Sequence, residues 1–180
     1  DFAMEFYISS SGKCHFVSYS LFDTSAFGSY QGSYLLTDEK IEKRLSKYVP
    51  VAELNHLKKR SKHQLEYLVK NNYEGYLGVD MMICSFNNFP YHRIHPCVEV
   101  NFRMNMGIVA SSIQKHFLSS QSQGKFETYF YRTDGEALAK HLEMEASYPV
   151  KMENNRVVRG YLPIVPITST SRYRAWVIVE

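Results

Sequence analysis

Four side chains carry the chemistry that the sequence offers: Asp80, Glu99, Asn101 and Arg103. Residues 76–84 alternate, so that Leu77, Val79, Met81 and Ile83 form an apolar face while Asp80 stands on the other face with Gly78 and Met82. Residues 97–104 alternate in the same way. Val98, Val100, Phe102 and Met104 fall on one side, and Glu99, Asn101 and Arg103 on the other. Antiparallel pairing with Cys84 opposite His95 sets Asp80 opposite Glu99, with side chains that start ~5 Å apart. Two carboxylates that close repel, and a shared proton or a cation sustains them. Oxygens from Asp, Glu and Asn suit a hard cation, and Mg²⁺ held by a few protein oxygens together with phosphates is the common case. Arg103 offers a planar fork for phosphate or carboxylate, and Gly78 leaves room for a ligand to approach. The pattern suits a metal-bridged phosphate site on an open sheet face. An exposed sheet face is normally polar, and Glu-x-Asn-x-Arg also reads as ordinary cross-strand pairing.

The elements that must position these residues are legible as periodicities. Residues 1–8 alternate as a strand, and a Ser/Gly turn at 9–13 leads to a hairpin partner over 14–22. A third short strand is expected at 30–36. Thr37 followed by Asp38 and Glu39 opens a helix whose stripe is Ile41, Leu45, Tyr48 and Val49. Pro50 breaks it or begins the next helix, and Leu54, Leu57, Ser61, Leu65 and Leu68 predict an amphipathic helix over 51–70 that stops at Asn71-Asn72. Strands are expected at 76–84 and 96–104 around a loop at 85–95, then a helix at 107–118. Thr133 and Glu136 read as a capping box before a helix carrying Leu138 and Leu142. The tail returns to strands at 150–153, 156–165 and 174–180. The expected class is α+β, a mainly antiparallel sheet with packed helices.

Composition narrows the functional classes. The 180 residues are 44% hydrophobic and 22% charged, which fits a globular chain rather than a disordered one. Twenty-one basic against 18 acidic residues leave a net charge of +3, too mild to argue for nucleic acid or an anionic membrane. Cys14, Cys84 and Cys97 are too few for a disulfide framework and read as free thiols of a reducing cytoplasm. No apolar run approaches the ~20 residues that span a bilayer. The cluster Lys58, Lys59, Arg60 and Lys62 reads as a solvated helix face. His92, His95 and Cys97 have no fourth ligand spaced for zinc. Glu5 reads as a solvated strand residue bordering the site, and Trp176 as core.

The segment Gly78-Val79-Asp80-Met81-Met82, followed after a loop by Pro96-Cys97-Val98-Glu99-Val100-Asn101-Phe102-Arg103, resembles the ATP-grasp superfamily. The resemblance spans about residues 1–118, and its specific part is the two strands. It implies that Asp80 and Glu99 bind Mg²⁺ (with Mn²⁺ as a substitute), Glu99 bridging two ions and Asn101 ligating the second. It implies that Arg103 steadies the transferring phosphoryl group or the acceptor carboxylate. A frequent family form has Pro before the Arg where this chain has Phe102, which leaves the subfamily open. The Gly-containing stretch 28–32 lacks a neighbouring Lys and a strand-to-helix context, so it reads as a loop rather than a phosphate cradle. The implied organisation is a C-terminal ATP-grasp lobe over 1–118 and a β-rich extension over 119–180. The N-terminal lobe that completes the clamp is expected elsewhere in a longer chain. The implied activity is ATP- and Mg-dependent ligation of a small carboxylate to an amine or thiol through an acyl phosphate. A non-catalytic ATP-grasp-like binding or assembly module and a two-metal phosphoesterase are the alternatives.

Overall fold

The computed structural model describes residues 1–70 and 72–180; the expected helix stop at Asn71 lies outside them. In chain order the elements are β1 (Phe2–Ile8), β2 (Cys14–Thr24), β3 (Tyr30–Leu35), α1 (Asp38–Leu45), α2 (Val51–Val69), β4 (Gly75–Ser85) and β5 (His92–Asn101). They continue with α3 (Met106–Phe117), β6 (Gly124–Phe130), α4 (Glu136–Ser147), β7 (Lys151–Glu153), β8 (Arg156–Pro163) and β9 (Tyr173–Val179). The strands pair antiparallel, and the class is α+β as expected. No helix among the described residues is long and apolar enough to cross a membrane.

Two compact units form. One comprises Asp1–Phe22 and Thr37–Ser111; the other comprises Asp23–Leu36 and Ser112–Glu180. Residues 23–36 group with the second unit. The reason is strand pairing: β3 ladders with β6 from Gly32 opposite Glu127 to Leu35 opposite Gly124.

The first unit is built on the strand order β5-β4-β1-β2. β1 is central and buried on both faces, so its alternation sorts residues between two covered sides rather than between core and solvent. Phe2, Met4, Phe6 and Ile8 on one face, together with Leu77, Val79 and Met81 of β4, are all nearly fully buried. α2 packs against β1. Its buried residues are Leu54, Leu65 and Val69, whereas the expected Leu68 is largely exposed. Continuing the stripe in steps of four from Leu65 reaches Val69, so the helix is rotated slightly from the expected face. Thr37 caps α1 as expected, its side chain accepting from the Lys40 N–H at 3.4 Å. Lys58 of the basic cluster is not simply solvated. Its ammonium lies 4.2 Å from the Phe16 ring centroid and 4.6 Å from that of Tyr19.

The second unit has the order β3-β6-β9-β8-β7. β6 has no counterpart among the expected strands. It ladders with β9 over its whole length, from Gly124 opposite Val179 to Phe130 opposite Tyr173. The expected capping box is half formed. Glu136 accepts from the Thr133 N–H at 3.4 Å, but the N-cap is Gly135, in the left-handed conformation at φ 87°. Leu142, expected on the apolar side of α4, is exposed.

Candidate metal and phosphate site

β4 and β5 bring the four predicted residues together. Asp80 pairs directly with Glu99, and Gly78 with Asn101. Past the site the register departs from the expected one. Cys84 faces Arg93 rather than His95, because Met82 already faces His95 and the ladder shifts between Asp80 and Met82. One residue of β4 is thus spanned by residues 96–98 of β5. Pro96 lies within that bulge, where its missing N–H costs no ladder bond. The shift lets β5 begin at His92, inside the expected loop, and a Phe86 N–H to Tyr91 carbonyl bond of 2.8 Å closes the tip.

β5 ends at Asn101, earlier than expected, and the Arg103 N–H turns back onto the Asn101 carbonyl at 2.9 Å. Phe102 and Met104 therefore lie outside the strand. They are exposed, as is Val98, which lies in the bulge. The apolar back predicted for this strand is only partly covered: Val100 is half-buried, and Phe102 meets the Tyr73 ring edge to face at 5.1 Å.

On the site face the Asn101 Nδ2 donates to Asp80 Oδ2 at 3.1 Å, and Arg103 Nη2 donates to Asn101 Oδ1 at 3.2 Å. Asp80 is half-buried and Glu99 exposed. Burial first, and then the Glu99 charge, push the Asp80 carboxyl above its ordinary value, while Asn101 and Arg103 pull it down. A cation between the facing carboxylates would relieve that repulsion. The donor set of two carboxylates and one amide is hard and incomplete, as Mg²⁺ sites completed by water and phosphate are. Among the described residues no group of three or more His, Cys, Asp or Glu is gathered as a metal cage. Asn101 presents its NH₂ to Asp80 and its oxygen to Arg103, so ligation by Oδ1 beside Asp80 requires the amide to turn over.

Glu5 and Asn105 depart from what the sequence suggests. Glu5, expected to be solvated, is 1% exposed. Its Oε2 accepts from Asn105 Nδ2 at 2.8 Å, and Asn105 Oδ1 accepts from the Ile108 N–H at 3.0 Å, capping α3. The room expected over Gly78 is already taken. A Cβ there would collide with Asn105 Nδ2 and Glu5 Oε2, and one on Gly107 with Glu5 Oε1 and Ser20 Oγ. Burial raises the Glu5 carboxyl to about 7, against the lowering effect of Asn105 and with a smaller push from Asp80. The Ser18 and Ser20 hydroxyls nearby are buried without a hydrogen-bond partner among the described residues. The missed signal is the set of small residues facing this strand: Ser18 and Gly78 both oppose Glu5, and Ser20 opposes Ala3.

No protein-family model and no curated protein matches the chain. Among solved structures, its fold is similar to that of N5-carboxyaminoimidazole ribonucleotide synthetase from Thermus thermophilus. The TM-score is 0.50 at 10% identity, covering 99% of this chain and 45% of that one. A phosphoribosylaminoimidazole carboxylase ATPase subunit from Aquifex aeolicus gives a TM-score of 0.47 at 11% identity, covering 99% and 52%. The chain spans about half the length of these structures. At such identities the likeness is one of fold.

Proposed function

We propose that the chain is the C-terminal part of an ATP- and Mg²⁺-dependent ligase of the carboxylate–amine or carboxylate–thiol type. The observation that carries this reading is the direct opposition of Asp80 and Glu99 with Asn101 and Arg103 in line beside them. The fold likeness to a synthetase supports the reading, and so does the ATP-grasp resemblance of the two strands.

Asp80, Glu99 and Asn101 would hold the ion or ions. When bound, Mg²⁺ neutralises the charge of the ATP β- and γ-phosphates, which is the main electrostatic demand of phosphoryl transfer. The protein's own groups position charge. Arg103 reaches toward the site from the end of β5, restrained by its bond to Asn101, and its fork can hold the γ-phosphoryl oxygens or the substrate carboxylate. A substrate carboxylate oxygen attacks the γ-phosphorus and ADP departs. The amine or thiol then attacks the acyl carbon and phosphate departs. Residues 1–118 would supply the metal and phosphate half of this centre, and residues 119–180 a β-rich extension to it. A further lobe of the same protein would supply the other half of the ATP clamp, so MgATP binding to these 180 residues alone is expected to be weak.

Product analysis of the full-length protein tests the reaction class. ADP together with an acyl conjugate is the expected outcome. Cleavage of a phosphate ester without a conjugate would replace the ligase with a two-metal phosphoesterase, and nucleotide binding without turnover would leave a binding module.

A further inference from the structure

The second unit contains an open cavity of about 1300 Å³ between α4 and one face of its sheet, remote in chemistry from the carboxylate pair. Tyr129, Tyr131 and Trp176 line it, and the Tyr129 and Tyr131 rings meet edge to face at 4.8 Å between centroids. Trp176, expected in the core, is only half-buried because it forms this wall.

Behind the wall lies a buried charge. The Arg174 guanidinium is centred 4.3 Å from the Trp176 ring and 5.7 Å from the rings of Tyr131 and Tyr161. Arg174 is 2% exposed. It donates to the Tyr131 hydroxyl at 2.9 Å and also hydrogen-bonds the Tyr161 phenol, its Nε is unpartnered, and no carboxylate pairs with it among the described residues. A guanidinium stays charged at any accessible pH. Buried without a paired acid, it lies against the Trp176 ring that forms the cavity wall and favours negative charge nearby.

The other cations lining the cavity are mostly neutralised. Lys125 pairs with Asp23 and Glu127, and Lys140 with Glu143. Arg132, at the rim, has no ion pair or hydrogen bond among the described residues; the remaining lining acid, Glu136, accepts from the Thr133 N–H. An aromatic wall backed by a buried cation, with a free guanidinium fork at its edge, is complementary to a flat ring bearing a negative group.

We propose that this cavity binds a planar aromatic carboxylate, the ring stacking on Trp176 and Tyr131 and the carboxylate meeting Arg132. The site is independent of the metal and phosphate site.

Trp176 is the single tryptophan, so its indole N–H gives one resolved signal in a ¹H–¹⁵N correlation spectrum. The probes are 2-naphthoate and its neutral isostere 2-naphthamide. The indole signal should shift saturably with 2-naphthoate, and 2-naphthamide should bind about tenfold more weakly or worse, the ratio expected of one charge-assisted contact. Arg132 is exposed, so Arg132→Gln should fold normally and bring the two probes to equal affinity. Tyr131→Leu should weaken both probes by severalfold. Chelation of divalent cations should change neither titration. The absence of a saturable shift, equal binding of the two probes to the unaltered protein, discrimination that survives Arg132→Gln, or a requirement for Mg²⁺ would each overturn the proposal.

Discussion

Burial holds the Glu5 carboxyl near pH 7, so that it keeps its proton in the folded chain where an unfolded glutamate has already lost it. The direction of the linkage follows. Below about pH 4.5 both states are protonated and Glu5 contributes no pH dependence. As pH rises from 4.5 toward 7 the unfolded state ionises first, and stability falls; above 7 the folded state ionises too and the loss is complete. At 1.36 kcal/mol per pKa unit this amounts to a loss on the order of 3 kcal/mol. Glu5→Gln keeps the amide bond partner and removes the proton. Denaturant titrations at pH 5 and pH 8 should show the unaltered chain losing stability across that interval and the variant losing measurably less. An identical decline in both would place the pH dependence elsewhere. Asp80 shows the same logic in a different role. Its carboxyl is raised by burial first and then by Glu99, a repulsion that a cation would relieve in the proposed site.

At the scale of elements, the α3 N-terminus is pinned to the site face of the sheet by one amide. Asn105 caps the helix through Oδ1 and satisfies Glu5 through Nδ2. Asn105→Ala therefore removes a cap, worth ~1 kcal/mol, and strands a buried carboxyl, worth a further ~1–3 kcal/mol. A fall in unfolding free energy of at least ~2 kcal/mol is expected, largest at pH 8 where Glu5 is charged. Gly107→Ala should be comparably disruptive, because its Cβ meets Glu5 and Ser20 rather than space. Chemical denaturation followed by circular dichroism measures both. A change below about 0.5 kcal/mol in either variant (an ordinary surface effect) would mean that the helix is not held this way.

These elements also show what the sequence can reveal. That Asp80 and Glu99 stand on one face is legible because side-chain parity is a local property of each strand, whereas their direct opposition rests on the pairing register. The bulge at 96–98 is not legible, since it depends on how two strands meet. Alternation in β1 marks two faces but not which is wet, because a central strand buries both and the cover over Glu5 comes from a helix 100 residues later. β6 escapes for a related reason: a stretch such as Gly-Lys-Phe-Glu-Thr-Tyr-Phe becomes a strand through its long-range partners β3 and β9. The helix cap at Thr37 is readable because its donor is three residues away.

At the scale of the whole chain, the two compact units carry different chemistry. The first holds opposed carboxylates and a guanidinium on a sheet edge; the second holds an aromatic cavity backed by a buried arginine. The chain covers about half of a solved synthetase of similar fold. The central claim is that Asp80 and Glu99 exist to hold Mg²⁺ against ATP phosphates. Calorimetric titration of ATP into the full-length protein, with and without Mg²⁺, tests it directly when repeated on Glu99→Gln. The predicted result is saturable, Mg²⁺-dependent binding that the substitution abolishes while the protein stays folded. Unchanged metal-dependent binding in Glu99→Gln would contradict it.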